Sequence, residues 1–176
     1  GTVVVIASAI DSALDFIISV FNAYAITKAQ KPMDTHYNYG RGKVEGLASL
    51  IEGAIITLSG FFIIAAAVHK LISGEETVGI GASLGVMGVS IMLTASLVLY
   101  LNGVYKKTKN LIIKSDALHY KSDLYTNIGI IASLGVIYFT GWSFIDPIVS
   151  IGIAIFVIYL AWEIIKEGLE MLLDKA

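Results

Sequence analysis

Long apolar stretches alternate with short polar segments along this chain. Each stretch is longer than the roughly 20 residues that a helix needs to cross the hydrocarbon core of a bilayer. The polar segments between them carry the charged residues, glycines and prolines that commonly end helices. The pattern therefore predicts five membrane-spanning helices, at residues 2–27, 43–71, 78–105, 110–140 and 147–173.

Composition supports the same fold class. Hydrophobic residues make up 56% of the 176 residues and charged residues only 15%, which is too apolar for an ordinary soluble domain. The chain is predicted to be an all-α, polytopic transmembrane helix bundle that is embedded in the lipid bilayer. Its net charge of −2 provides no basic field, so nucleic acid is not expected as a partner.

Two local features refine the predicted helices. Asp146 and Pro147 resemble the N-cap and first position of the last helix, because Pro needs no hydrogen-bond partner for its nitrogen there. Glycines inside membrane helices usually permit close packing between helices. The glycines singled out for this role are Gly81, Gly85, Gly88, Gly129 and Gly135.

Lysine and arginine residues are distributed unevenly between the two ends of the predicted helices. Ten of the twelve lie beside the first and third connections or near the C-terminal end of the last helix. By the positive-inside rule this end faces the cytoplasm, so the C-terminus is predicted to be cytoplasmic. The ten residues are Lys28, Lys31, Arg41, Lys43, Lys106, Lys107, Lys109, Lys114, Lys166 and Lys175.

Two pairs of polar residues lie within the apolar stretches. Asp11 and Asp15 are four residues apart in the first predicted helix, so they project from one face. His119 and Asp123 have the same spacing in the fourth. An ionised Asp at mid-membrane costs about 2.5–3.5 kcal/mol on insertion scales, a penalty that a bound cation would offset. The chain has no cysteine, and one imidazole with three carboxylates suits a tetrahedral Zn²⁺ site.

These residues alone are compatible with more than one class of membrane protein. The two pairs also suit a proton relay, or a structural polar cluster in a membrane scaffold that transports nothing. A channel would require a continuous polar lining, whereas these residues are concentrated at one level of two helices. A membrane metallohydrolase would require an open coordination position with a nearby base, and no HExxH spacing occurs. The pattern therefore favours transport over catalysis.

The chain resembles the cation diffusion facilitator family. Members carry an Asp-x-x-x-Asp motif in their second membrane helix, matched here by Asp11 and Asp15. They carry a His-x-x-x-Asp motif in their fifth, matched by His119 and Asp123. Residues 32–45 also resemble the family's cytoplasmic linker. The likeness implies that residues 1–176 are part of a cation efflux transmembrane domain, with a first helix and a C-terminal cytoplasmic domain expected outside this chain.

The resemblance implies a function for the four matched residues. Asp11, Asp15, His119 and Asp123 are expected to bind a divalent metal cation and exchange it for protons by alternating access, in a homodimer. Nitrogen ligation favours Zn²⁺, with Cd²⁺ or Fe²⁺ as further substrates and an iron or manganese exporter as the alternative. No organic cofactor is implied. The expected location is a prokaryotic plasma (inner) membrane.

Four further polar residues are candidates for supporting roles near this site. Glu52 is open to two interpretations, a proton relay or hydrogen bond to a neighbouring helix, and packing or interfacial solvation. Asn127 extends the face of Asp123 by one turn and is a candidate hydrogen-bonding partner for a ligand. Asp116 precedes His119 by three residues and is interpreted as an entrance charge. Ser8 is a candidate only for lining the path.

Two further pairs of candidate functional residues are implied by the resemblance to the family. Asp34 and His36 lie in the linker, where many members bind a second metal, but Arg41 replaces the second linker histidine. The pair is therefore interpreted as solvated loop residues, with a weak cytoplasmic metal patch as the alternative. Lys43 and Asp174 match residues that join helices at the cytoplasmic end in some members. An interlocking salt bridge is the resulting hypothesis.

Overall fold

The computed structural model describes residues 2–30, 42–74 and 83–173, with side chains for 15–30, 42–74 and 87–173. It confirms the all-α, polytopic prediction, because five helices and no strands occur in these ranges. In the same ranges α2, α3 from Met87, α4 and α5 are long and apolar enough to cross a membrane. The helices are α1 (Thr2–Ala29), α2 (Lys43–Ser73), α3 (Ser83–Thr108), α4 (Leu111–Thr140) and α5 (Ile145–Leu172).

The start of α5 differs from the prediction. The helix begins at Ile145, its N-cap residue is Phe144, and no side chain caps it. Asp146 and Pro147 are thus the second and third helical residues rather than the N-cap and first position. Pro147 is still tolerated because amide nitrogens in the first turn have no partner within the helix. The carboxylate of Asp146 binds other helices instead of its own first turn.

The start of α4 is held by two side chains. The Oδ1 atom of Asn110 accepts a hydrogen bond from the Ile113 amide at 3.2 Å, as expected for an asparagine N-cap. The Leu111 amide donates to the carboxylate of Glu45 on α2. These bonds satisfy two amides that lack partners within α4 and tie the beginnings of α2 and α4 together.

The closest helix contact joins α2 and α5, which run antiparallel. A methyl group added to Gly46 would lie 2.9 Å from the carbonyl oxygen of Gly168, so these backbones touch. Gly53 and Gly60 follow at seven-residue intervals, and their α carbons face the backbones of Ala161 and Ala154. Small residues thus repeat every seven positions on both helices, a period that favours a left-handed crossing.

The opposite end of the α2–α5 contact is closed by an ion pair. Lys70 Nζ lies 2.6 Å from Asp146 Oδ2, and Ser133 on α4 donates to Asp146 Oδ1 at 3.0 Å. The side chains of Lys70 and Asp146 are 26% and 12% exposed, so the pair is largely shielded from its surroundings. One carboxylate therefore connects α2, α4 and α5.

The glycines singled out from the sequence have mixed outcomes. Gly129 is buried, and a methyl group there would lie 2.2 Å from Ile153 Cδ1, so this prediction of close packing is confirmed. Gly88 and Gly135 have nothing within 4 Å of an added methyl group among the described residues, so no close helix contact is described at these two positions. Gly81 and Gly85 lie outside the described side chains.

Two apolar clusters hold the remaining helices. One lies between α2, α4 and α5 and consists of Ile56, Leu118, Val157, Ala161 and Ile164. The other joins α1, α2 and α4 through Ala25, Ala48 and Ile112. Within the described residues α3 packs against α4 only. Many large apolar side chains, such as Phe62 at 78% and Phe139 at 86% exposure, point away from the bundle, as expected where lipid surrounds the helices.

Candidate metal-binding site

Three of the four predicted metal ligands meet between α1 and α4. The Nε2 atom of His119 lies 3.1 Å from Asp15 Oδ1 and 3.9 Å from Asp123 Oδ2. We refer to these three residues as the His119 cluster. The imidazole is 16% exposed, whereas the carboxylates are 39% and 49% exposed. The ring is therefore fixed between the helices, and the carboxylates face an accessible space.

The spacing of these atoms is close to that of ligands on one metal ion. With bonds of about 2.1 Å and tetrahedral angles, two donor atoms on a Zn²⁺ ion lie about 3.4 Å apart. The distances of 3.1 and 3.9 Å from Nε2 bracket this value. No group of three His, Asp or Glu residues in the described part of the chain is arranged as a metal site. The side chain of Asp11, the fourth predicted ligand, lies outside the described residues.

The polar face of α1 continues beyond Asp15. Ser19 Oγ lies 3.5 Å from the hydroxyl of Tyr120, and Asn22, which is 4% exposed, reaches α4 through its side chain. The ring of Tyr120 packs edge-on against His119 with centroids 5.6 Å apart. Neither Ser19 nor Asn22 was predicted from the sequence to belong to the site. Their spacing of four and seven residues from Asp15, which keeps them on one helical face, was the available signal.

A second polar cluster lies next to the His119 cluster and joins α1, α2 and α4. Asn22 Nδ2 donates to Glu52 Oε2 at 3.1 Å and to Asp116 Oδ1 at 3.3 Å. Ser115 Oγ donates to the same Glu52 oxygen at 2.6 Å. We refer to Asn22, Glu52, Ser115 and Asp116 as the Glu52 cluster. Glu52 is only 2% exposed, so it lies inside the bundle and hydrogen bonds to two neighbouring helices.

The supporting candidates have different placements. Asp116 is partly buried and belongs to the Glu52 cluster, and Asn127 is partly buried on α4 one turn beyond Asp123. Ser8 lies on α1, but its side chain is outside the described residues. Lys43 is the first residue of α2, and its predicted partner Asp174 lies outside the described residues. Asp34 and His36 also lie outside the described residues.

Cations gather at one end of the described bundle, where α1, α3 and α5 end and α2 and α4 begin. We call this the lysine-rich end, and it includes Lys28, Lys43, Lys106, Lys107 and Lys114. Lys114 binds Glu163 at 3.1 Å and Glu167 at 2.6 Å, which connects α4 to α5. The Glu52 cluster lies nearer to this end than the His119 cluster does, because Asp116 precedes His119 on α4.

Comparison with known proteins agrees with this architecture. A family model described as the cation efflux transmembrane domain matches residues 1–173. Proteins named cation-efflux pump FieF from Salmonella arizonae, Salmonella newport and Salmonella heidelberg are each 31% identical to the chain over all 176 residues. The chain spans 58% of the length of these relatives.

Proposed function

The chain belongs to the cation efflux transmembrane domain family, and we propose that Asp11, Asp15, His119 and Asp123 bind the divalent cation that it exports. The geometry of the His119 cluster is the main support. One imidazole nitrogen faces two carboxylates at 3.1 and 3.9 Å, which is close to the spacing of atoms that ligate a common metal ion. Asp11, one turn from Asp15 on α1, supplies the fourth ligand.

The ligand set favours Zn²⁺ as the substrate. Imidazole nitrogen suits Zn²⁺ better than the hard cations Mg²⁺ and Mn²⁺, which prefer oxygen alone. The same donors also suit Cd²⁺ and Fe²⁺, so these ions are the competing substrates to test. Three carboxylates give the site a net negative charge, which matches a divalent cation. The bound cation in turn offsets the cost of ionised Asp residues in the membrane.

Exchange for protons follows from the chemistry of the ligands. A metal binds imidazole and carboxylate only in their deprotonated forms, so protons and metal compete for the same atoms. A site that opens to each side of the membrane in turn then exports metal as protons enter. We further propose that the protein works as a homodimer in the inner membrane of a prokaryote. The positive-inside rule places the lysine-rich end in the cytoplasm.

Transport by the full-length parent protein in proteoliposomes tests the proposed site. We expect His119→Ala to lower Zn²⁺ transport more than about 100-fold, since changing even an outer-shell partner of a ligand costs about 10–100-fold. His69→Ala is the matched control, because His69 is exposed near the other end of α2. Parallel assays with Cd²⁺, Fe²⁺ and Mn²⁺ identify the substrate. Normal transport by His119→Ala would rule out the proposed site.

Metal affinity should also fall as the pH is lowered. We expect a change from pH 7.5 to pH 5.5 to weaken Zn²⁺ binding by at least about tenfold, because protons compete with the metal for the imidazole and the carboxylates of the site. Isothermal titration calorimetry of the purified full-length protein measures this change, and buffers of different ionisation enthalpy count the protons released. Equal affinity at both pH values, with no proton release, would contradict the exchange mechanism.

A further inference from the structure

The His119 and Glu52 clusters lie at two levels along α1 and α4. On α4, Asp116 precedes His119 by three residues, about 4.5 Å along the helix axis. On α1, Asn22 follows Asp15 by seven residues, about 10 Å along the axis. Ser19 lies between the two levels and contacts Tyr120. The Glu52 cluster thus lies between the His119 cluster and the lysine-rich end.

The Glu52 cluster has buried oxygen atoms that lack a positive partner. Both of its neutral donors, Asn22 and Ser115, bind Glu52 Oε2. Glu52 Oε1 and Asn22 Oδ1 have no hydrogen-bond partner among the described residues, although the two residues are only 2% and 4% exposed. Glu52 Oε2 and Asp116 Oδ1 accept hydrogen bonds from the same Asn22 Nδ2 atom, so the two carboxyl groups lie close together. Buried carboxyl groups in this arrangement require a compensating cation or proton.

A metal cation fits these atoms better than a proton does. A single proton on Glu52 Oε1 joins that atom to only one acceptor, so it cannot serve Asn22 Oδ1 and the Asp116 carboxylate together. A cation accepts electron pairs from carboxylate and amide oxygens alike. Two carboxylates and one amide oxygen form the kind of ligand set that hard divalent cations prefer.

We propose that the Glu52 cluster is a second binding position for the exported divalent cation, on its way between the lysine-rich end and the His119 cluster. This inference rests on the proposed export function and adds a step to it. An oxygen-only position holds a cation less tightly than the nitrogen-containing His119 cluster. It therefore receives the ion and passes it on, since transfer along a path requires each position to release what it binds.

Mn²⁺ binding to the full-length protein tests the second position separately from the first. The triple variant Asp15→Asn/His119→Ala/Asp123→Asn serves as the background, because it removes the described ligands of the His119 cluster. Electron paramagnetic resonance of free Mn²⁺ gives the number of ions bound per protomer. We expect Glu52→Gln in this background to abolish the binding of one Mn²⁺ ion per protomer, and Glu52→Asp to retain it.

Two further variants keep the test decisive. Asp116→Asn in the same background is expected to lose the same ion, and it replaces Glu52→Gln if that variant fails to elute as a single species in gel filtration. Glu163→Gln is the control, because Glu163 is 58% exposed on α5 and binds Lys114 instead. We expect its Mn²⁺ binding to equal that of the background.

The outcomes separate this inference from the proposed function. Unchanged Mn²⁺ binding in Glu52→Gln and Asp116→Asn would overturn the second position, even if His119→Ala abolishes Zn²⁺ transport. Unchanged binding together with an altered pH dependence of transport in Glu52→Gln would assign the cluster to protons and equally overturn the inference. Normal Zn²⁺ transport by His119→Ala would instead reject the proposed export site.

Discussion

The α2–α5 and α1–α4 interfaces illustrate two ways in which helices meet in this protein. Along α2–α5, glycine and alanine bring the backbones into direct contact, and the Lys70–Asp146 ion pair closes one end. Along α1–α4, the contact is less extensive and is made largely by polar side chains, including Asp15 and His119. The α2–α5 interface therefore holds two helices rigidly together, whereas the α1–α4 interface leaves the carboxylates of Asp15 and Asp123 partly exposed.

The difference has a physical cause. Helices in lipid gain little from the hydrophobic effect, so close van der Waals contact between small residues provides much of their association energy. Polar side chains at an interface add less association energy than close contact between small residues does. The carboxylates of the His119 cluster are 39% and 49% exposed, so much of their surface is not in contact with another helix. In the proposed function, a bound cation would add to the stability of the α1–α4 interface. The comparison therefore predicts that mutations at the two interfaces have unequal effects on stability and function.

The largest effect on stability is expected for Gly168→Ala. The added methyl group would lie 2.8 Å from the carbonyl oxygen of Gly46, a backbone atom that cannot rotate away. We expect a loss of about 3 kcal/mol in the free energy of unfolding, at the upper end of the usual cost of overpacking. Thermal unfolding of the full-length protein in detergent measures this loss.

Gly152→Ala is the matched control for this substitution. Gly152 lies on the same helix and has nothing within 4 Å of an added methyl group among the described residues. Its unfolding temperature should equal or exceed that of the wild type, because alanine is the better helix former. If both variants unfold at the same temperature, close backbone contact does not hold α2 and α5 together.

A much smaller effect is expected for Ser19→Ala at the α1–α4 interface. The Ser19–Tyr120 hydrogen bond is 3.5 Å long, at the limit of a hydrogen bond, so its loss should cost less than about 0.5 kcal/mol. The same unfolding assay, run beside Gly168→Ala, measures the difference. A destabilisation as large as that of Gly168→Ala would show that the α1–α4 interface also supports the scaffold.

Much of the fold follows from the sequence alone. The length of the apolar stretches dictates the helices, because a membrane leaves no water to satisfy the backbone and each helix satisfies its own. The predicted ends of α1, α2 and α4 agree with the structure within two residues. The start of α5 also lies two residues from its predicted position, but Asp146 is not the N-cap, because it binds Lys70 and Ser133, a contact between distant residues that no local pattern reveals.

The metal-binding hypothesis also came from the sequence, through four-residue spacings that place each ligand pair on one helical face. The sequence could not show which other polar residues join them. Asn22, Glu52 and Ser115 lie on three different helices, and only the packing of α1, α2 and α4 brings them together. Likewise, Gly46 and Gly168 are ordinary helix glycines until α2 and α5 pack together. Helical periodicity is a local property that the sequence determines, whereas these contacts depend on how separate helices are placed, which the tertiary structure decides.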